Sequence, residues 1–198
     1  MSIFITMAIF SLSLSISPGP VNILALTRGL NVGFKRAFGF VSGATFGFVS
    51  LLSLIGLGLG EVSSSYPHFM VLLKYLGCTY LFYIAYNVFK TKQISFKDRN
   101  VMKDHTPSFI QGWLMQWVNP KAWVACIAGC TLFNVYDSSE RLILFLTIYF
   151  VFCYFGIACW ALLGNKIQTW LSSEKQVERF NQAMGTVLFL LTMSLLFT

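Results

Sequence analysis

The sequence predicts an all-α polytopic membrane protein, with six transmembrane helices arranged as two inverted three-helix repeats. Three observations lead there. Of the 198 residues, 56% are hydrophobic and only 11% are charged, against roughly 25% charged in an average soluble domain. Six apolar stretches each approach the about 20 residues that a membrane crossing needs. The loops between them alternate in charge.

The stretches are 3–27, 37–60, 69–89, 109–136, 142–164 and 180–197. The second and fifth hold no charge. The fourth is interrupted by Gln111, Gln116, Asn119, Pro120 and Lys121, so five full spans plus a re-entrant element is the alternative there. Met1-Ser2-Ile3-Phe4 brings no basic segment ahead of the first run, which is therefore expected to be a permanent span.

Loop one holds Arg28, Lys35 and Arg36, loop three Lys90, Lys92, Lys97, Arg99 and Lys103, and loop five Lys166, Lys175 and Arg179. Loop two holds Glu61 without Lys or Arg, and loop four holds Asp137 and Glu140 with Arg141. The positive-inside rule puts loops one, three and five in the cytoplasm and both termini outside. The net charge of +7 is explained by that rule, and no nucleic-acid partner is expected.

The chain reads as one transmembrane domain, 1–198, in which a polar loop, 90–108, separates a first repeat, 1–89, from a second, 109–198. Three spans per half make the halves inverted, the usual build of secondary transporters. Leu76-Gly77 precedes Phe89 by the same interval as Met184-Gly185 precedes Phe197. Each half also opens with a proline-broken span.

Those breaks are the candidate site. In Ser17-Pro18-Gly19-Pro20-Val21-Asn22, proline cannot donate the helical hydrogen bond, so the Leu14 and Ile16 carbonyls are freed. Pro20 is placed to start a second half-helix. The Asn22 and Ile23 amides would then point into the turn, where a carboxylate binds well. The competing reading ends the span at Ser17 and lays the following run in the interface. At Asn119-Pro120-Lys121, Pro120 frees the Gln116 carbonyl; an ordinary proline kink is the alternative. If the two breaks face one another, carbonyls suit an ammonium and half-helix amides suit a carboxylate. That is amino-acid recognition by backbone.

Lys74 and Lys121 are the candidate intramembrane charges, either as counter-ions for a carboxylate or snorkelling to an interface. No Asp or Glu lies deep in a span, and His68 and His105 fall in loops. Gly39, Gly43 and Gly47 repeat on one helix face and, with Gly77, are candidates for close helix packing. The five tryptophans fit interfacial anchors or substrate walls equally. Cys78, Cys126, Cys130, Cys153 and Cys159 form no CxxC pair, so no metal or other cofactor is expected.

Taken together these residues resemble the LysE/RhtB family of bacterial amino-acid exporters. The resemblance rests on Ser17-Pro18-Gly19-Pro20 with Asn22, on Arg28-Gly29 and Gly33, on Gly39, Gly43 and Gly47, on Lys74 with Gly77, Tyr80 and Leu81, and on Asn119-Pro120-Lys121-Ala122. The stretches Phe109…Gln116-Trp117-Val118-Asn119 and Cys159-Trp160-Ala161-Leu162…Gly164 look most like the cysteine and O-acetylserine exporter branch. Val21 departs from the family, where many members carry a polar residue.

The resemblance implies a multi-pass protein of the bacterial inner membrane that exports a small neutral amino acid, with the proton gradient as driver. Its partners would be that amino acid and the lipid bilayer, with homodimerisation left open. It implies no enzyme. A membrane thiol–disulfide carrier is the alternative function, and no cysteine adjoins Pro18, Pro20 or Pro120.

Overall fold

The computed structural model describes residues 2–59, 67–91, 109–171 and 173–197. Within them lie eight α-helices and no strand. They are α1 (Ile3–Ile16), α2 (Pro20–Val32), α3 (Phe34–Leu54), α4 (Pro67–Lys90), α5 (Phe109–Trp117), α6 (Pro120–Leu132), α7 (Ser139–Trp170) and α8 (Glu174–Phe197). A π-turn (Ile55–Leu59) prolongs α3, and a 3-10 turn (Val135–Asp137) joins α6 to α7. Glu61, His105 and most of the third loop's charges lie outside the described residues.

The first apolar run is two helices, α1 and α2, bent by 58°. Proline at the first position of α2 supplies the fixed φ that starts a helix. The fourth run is also two helices, with Val118 and Asn119 between α5 and α6, and Asn119 caps α6 through its side chain. Helices α7 and α8 outrun their apolar stretches. Ser138 accepts from the Arg141 amide at the start of α7. Before α8, Ser173 and Gln176 exchange side-chain bonds of 3.2 and 3.3 Å, a capping box that adds the charged turn Glu174–Arg179 to the helix.

Residues Phe34–Gly58, Ser139–Trp170 and Glu174–Phe197 are each long and apolar enough to cross a membrane, and the bent pair α1/α2 is so when its two helices are taken together, as a broken span or a re-entrant loop. Large apolar side chains cover the outside, among them Ile5, Ile9, Leu72, Leu76, Val151 and Phe155. This is a multi-pass membrane protein whose outer surface suits lipid.

At about 1.5 Å per residue, the 32 residues of α7 measure about 48 Å. That length lets one unbroken helix run beside both halves of the α1/α2 pair. Gly156 faces the Ser15 backbone, Gly164 faces Leu26 and Gly29 faces Ala161. Farther on, the Phe34 amide donates to Asn165 Oδ1 at 3.1 Å. Helix α3 does the same for α5: Gly43 lies against the Phe109 backbone, Gly47 against Trp113, and Gly112 against Phe40 and Ala44. Helix α4 pairs with α8.

Gly77 and Gly185 share a sequence interval but not a partner. Gly77 meets the Val118 carbonyl at the second break, and Gly185 meets Ala85 and Phe89 on α4. Gly39 is half-buried on α3.

The two ends of the molecule differ. At one, Asn31 and Asn181 bond each other at 2.9 and 3.0 Å, and Asn181 also donates to the Thr91 carbonyl at 3.2 Å. This joins the α2–α3 corner, the end of α4 and the start of α8. At the other end the π-turn meets α7, where Gly56 packs on Leu142.

A side chain at Gly43 would run into the Phe109 main chain, which cannot swing away. Gly43→Leu should lose about 1–3 kcal/mol of stability, read as a lowered melting temperature in detergent. Leu57→Ala, on the exposed surface, should melt like the parent.

Candidate functional site

The two breaks meet. Between them lies a small cavity of about 50 Å³, room for a few waters and well below the roughly 300 Å³ and more of ordinary small-molecule sites. Leu14, Ser15, Gly19, Pro20, Val21 and Asn22 line it from the first break, and Gln116, Asn119, Lys121, Ala122 and Ala125 from the second. Phe48 of α3 and Tyr149, Cys153 and Ile157 of α7 close the rest.

Each carbonyl bared by a proline has a partner. Leu14 O accepts from Ser17 Oγ at 3.0 Å. Ile16 O accepts from Trp160 Nε1 of α7 at 3.0 Å. Asn22 reaches back across the break and donates to Ser15 O at 2.7 Å and Ser17 O at 2.9 Å. At the second break, Gln116 O accepts from the Asn119 amide at 3.3 Å. Trp117 O accepts from Trp123 Nε1 at 2.7 Å. Trp123 and Trp160 therefore act as caps, a role the sequence does not reveal.

Lys121 joins the breaks directly. Its Nζ donates to Ser17 Oγ at 2.6 Å, Pro18 O at 3.2 Å and Ser17 O at 3.3 Å. Its amide donates to Asn119 Oδ1 at 3.2 Å, and Asn119 Nδ2 reaches Gln116 Oε1 at 3.5 Å.

The two half-helix starts differ. In α6 the Lys121 amide is capped and the Ala122 amide bonds Asn119 O at 2.9 Å. In α2, Gly19 offers no side-chain cap. The Ile23 amide is not open, contrary to the expectation from sequence, because it donates to Gly19 O at 2.9 Å. The main-chain donors of α2 that lack a helical carbonyl are therefore those of Val21 and Asn22.

Ser17, Pro18, Gly19, Pro20, Asn22, Asn119, Pro120 and Lys121 thus come together at one place. Lys74 does not: it is half-buried on α4 beside Cys78 and lines no part of the cavity.

Tyr149 was missed by sequence reasoning. It stacks on Phe48 with ring centroids 4.3 Å apart and forms a wall of the cavity. A charge-free apolar run carries no signal of which residue turns inward. A second polar cluster was missed too. Arg28 Nη2 donates to Gln111 Oε1 at 3.3 Å beside Tyr80, while Arg28 Nε is buried without a partner among the described residues. All five cysteines are free thiols, and no group of metal-ligating side chains occurs among the described residues.

Long apolar helices, with two helix breaks meeting at one small cavity, are the build of a membrane transporter of small solutes. The chain belongs to the LysE type translocator family, whose model matches residues 12–198. It is 27% identical to a homoserine/homoserine lactone efflux protein of Salmonella typhi over 187 residues, 92% of this chain and 90% of the relative. It is 25% identical to a cysteine/O-acetylserine efflux protein of Escherichia coli O1:K1 / APEC over 167 residues, 80% of each chain. The corresponding protein of Salmonella paratyphi A is 26% identical over 168 residues, again 80% of each. Relatives with two different cargoes stand at nearly equal identity, so similarity singles out neither. No solved structure matches.

Asn22→Ala would leave Ser15 O without a donor and Ser17 O with Lys121 Nζ alone. An unsatisfied buried acceptor costs about 1–3 kcal/mol, so the variant should melt at a lower temperature in detergent. Asn22→Asp replaces the donor by an acceptor and should be worse than Asn22→Ala in the same measurement.

Proposed function

We propose that this chain is a secondary transporter of the bacterial inner membrane that exports small neutral amino acids from the cytoplasm, driven by the proton gradient. The substrate class is the cysteine, O-acetylserine, homoserine or threonine type. The observation that carries the proposal is chemical. The α1/α2 break holds a primary ammonium, that of Lys121, on main-chain and hydroxyl oxygens. The Val21 and Asn22 amides beside it have no helical acceptor. An α-amino acid carries an ammonium and a carboxylate two bonds apart, and the break offers oxygens for one and N–H groups for the other.

The walls fit an uncharged side chain. Phe48, Tyr149, Ala122, Ala125, Cys153 and Ile157 face the cavity, and no carboxylate of the described residues does. At about 50 Å³ the cavity must widen to admit an amino acid on this reading.

The pairing of helices supports a build from two inverted repeats, 1–89 and 109–198, with six spans. Each broken span lies along the unbroken second span of the other half, α1/α2 along α7 and α5 along α3. Helix α4 of one half pairs with α8 of the other. The meeting of the first, third and fifth connections at one end supports a cytoplasmic face there, with both termini outside. Homodimerisation stays compatible with the exposed apolar surface.

Efflux of a labelled panel of small amino acids from loaded cells or vesicles tests the proposal. At least one neutral member should leave faster when the protein is present; equal rates across the panel would refute it. Asn119→Ala should slow that efflux about tenfold, as losing roughly 1.4 kcal/mol would, with an unchanged amount of protein in the membrane. Normal efflux from the variant would remove Asn119 from the site.

A further inference from the structure

Lys121 is more than a link between two helices. Its ammonium has three N–H donors, and three oxygens of the first break lie within hydrogen-bond distance: Ser17 Oγ, Ser17 O and Pro18 O. Among the described residues it makes no ion pair, so these oxygens are its only polar partners there. Gly19 makes the approach possible. A Cβ at position 19 would lie 3.0 Å from Lys121 Nζ and 3.2 Å from its Cδ, tight enough to push the side chain off the carbonyls.

This lysine head is chemically the same group as the ammonium of a free amino acid. It sits where backbone oxygens converge, at the edge of the cavity that both breaks line. Two primary ammonium groups cannot share those oxygens, because each would displace the other's donors and add like-charge repulsion.

We propose that Lys121 is a tethered competitor: in the substrate-free protein its ammonium fills the substrate's own ammonium position, and substrate binding must displace it. This rests on the reading of the α1/α2 break as the amino-acid site. Displacement severs the direct side-chain bonds from α6 to the Ser17–Pro18 turn. Filling the site and unlatching the two broken spans then become one event. The empty carrier stays latched, which suits a protein that must not leak cytoplasmic solutes.

A plain structural brace would make the opposite prediction, so binding measurements separate the two. The protein is purified in lipid nanodiscs as the parent, Lys121→Met and Lys121→Arg. The probes are ethylammonium, which has no carboxylate, and whichever neutral amino acid the parent exports. If Lys121 fills the site nine-tenths of the time, Lys121→Met should bind both probes about tenfold more tightly than the parent. Lys121→Arg, which still carries a tethered cation, should bind more weakly than Lys121→Met. Binding to Lys121→Met that is no tighter than to the parent would overturn the proposal in favour of a brace.

A second readout uses the parent alone and decides the matter if Lys121→Met does not stay monodisperse. Reductive methylation of Lys121, with formaldehyde and reductant in excess over the ligand's own amine and followed by mass spectrometry, should increase when the exported amino acid saturates the protein. Unchanged or reduced methylation would overturn the proposal. If the parent exports no amino acid while ethylammonium still separates the variants as stated, the competitor stands and the exporter reading falls.

Discussion

Everything at this site depends on one constraint: main-chain carbonyls released from a helix at membrane depth must find donors inside the protein. Prolines 18, 20 and 120 remove three helical N–H groups and so create the demand. It is met by side chains that travel unusual distances. Asn22 folds back over its own turn, Trp160 comes from α7, and Lys121 comes from the other break. The unwound segments are therefore open to donors from outside their own helix, here Asn22, Trp160 and Lys121. A continuous helix offers no such opening, because its carbonyls are already paired within it.

Holding a bent span in place also requires a straight one beside it. Helix α7 performs that role for α1 and α2, and α3 performs it for α5. In both cases glycine brings backbones close enough for the unbroken helix to fix the broken one along its length. The close approach explains why Gly43, Gly47, Gly156 and Gly164 lie where they do, and it places Phe48 and Tyr149 against the gap. Helix packing and site geometry are thus the same set of contacts, seen from the two sides of α3 and α7.

Much of this is legible in the sequence where the signal is local. Proline deletes a donor wherever it stands, so both breaks can be located from Pro18, Pro20 and Pro120 alone. Loop charge and run length point to a multi-pass membrane protein. What is not legible is which side chain crosses to which break. Trp160 and Ile16 are 144 positions apart, and Lys121 and Ser17 are 104 apart. An apolar helix in lipid has no polar outer face to mark its inner one, so the inward turn of Tyr149 leaves no trace in the pattern. Ile23 shows a finer limit. Its amide looked open from the proline spacing, yet Gly19 lies close enough to accept from it. Lys74 shows another. A lone cation in an apolar run suggests a site, but α4 carries it away from the cavity and presents Gly77 to the second break instead.

On the proposed reading, the substrate binds where the two helix breaks meet. A cryo-electron microscopy structure in lipid nanodiscs with a saturating exported amino acid tests it directly. The ligand's ammonium should lie on the Ser17 and Pro18 oxygens, its carboxylate at the Val21 and Asn22 amides, and Lys121 should have left its present partners. A ligand found elsewhere, such as at the Arg28–Gln111 cluster, with Lys121 still on Ser17, would contradict it.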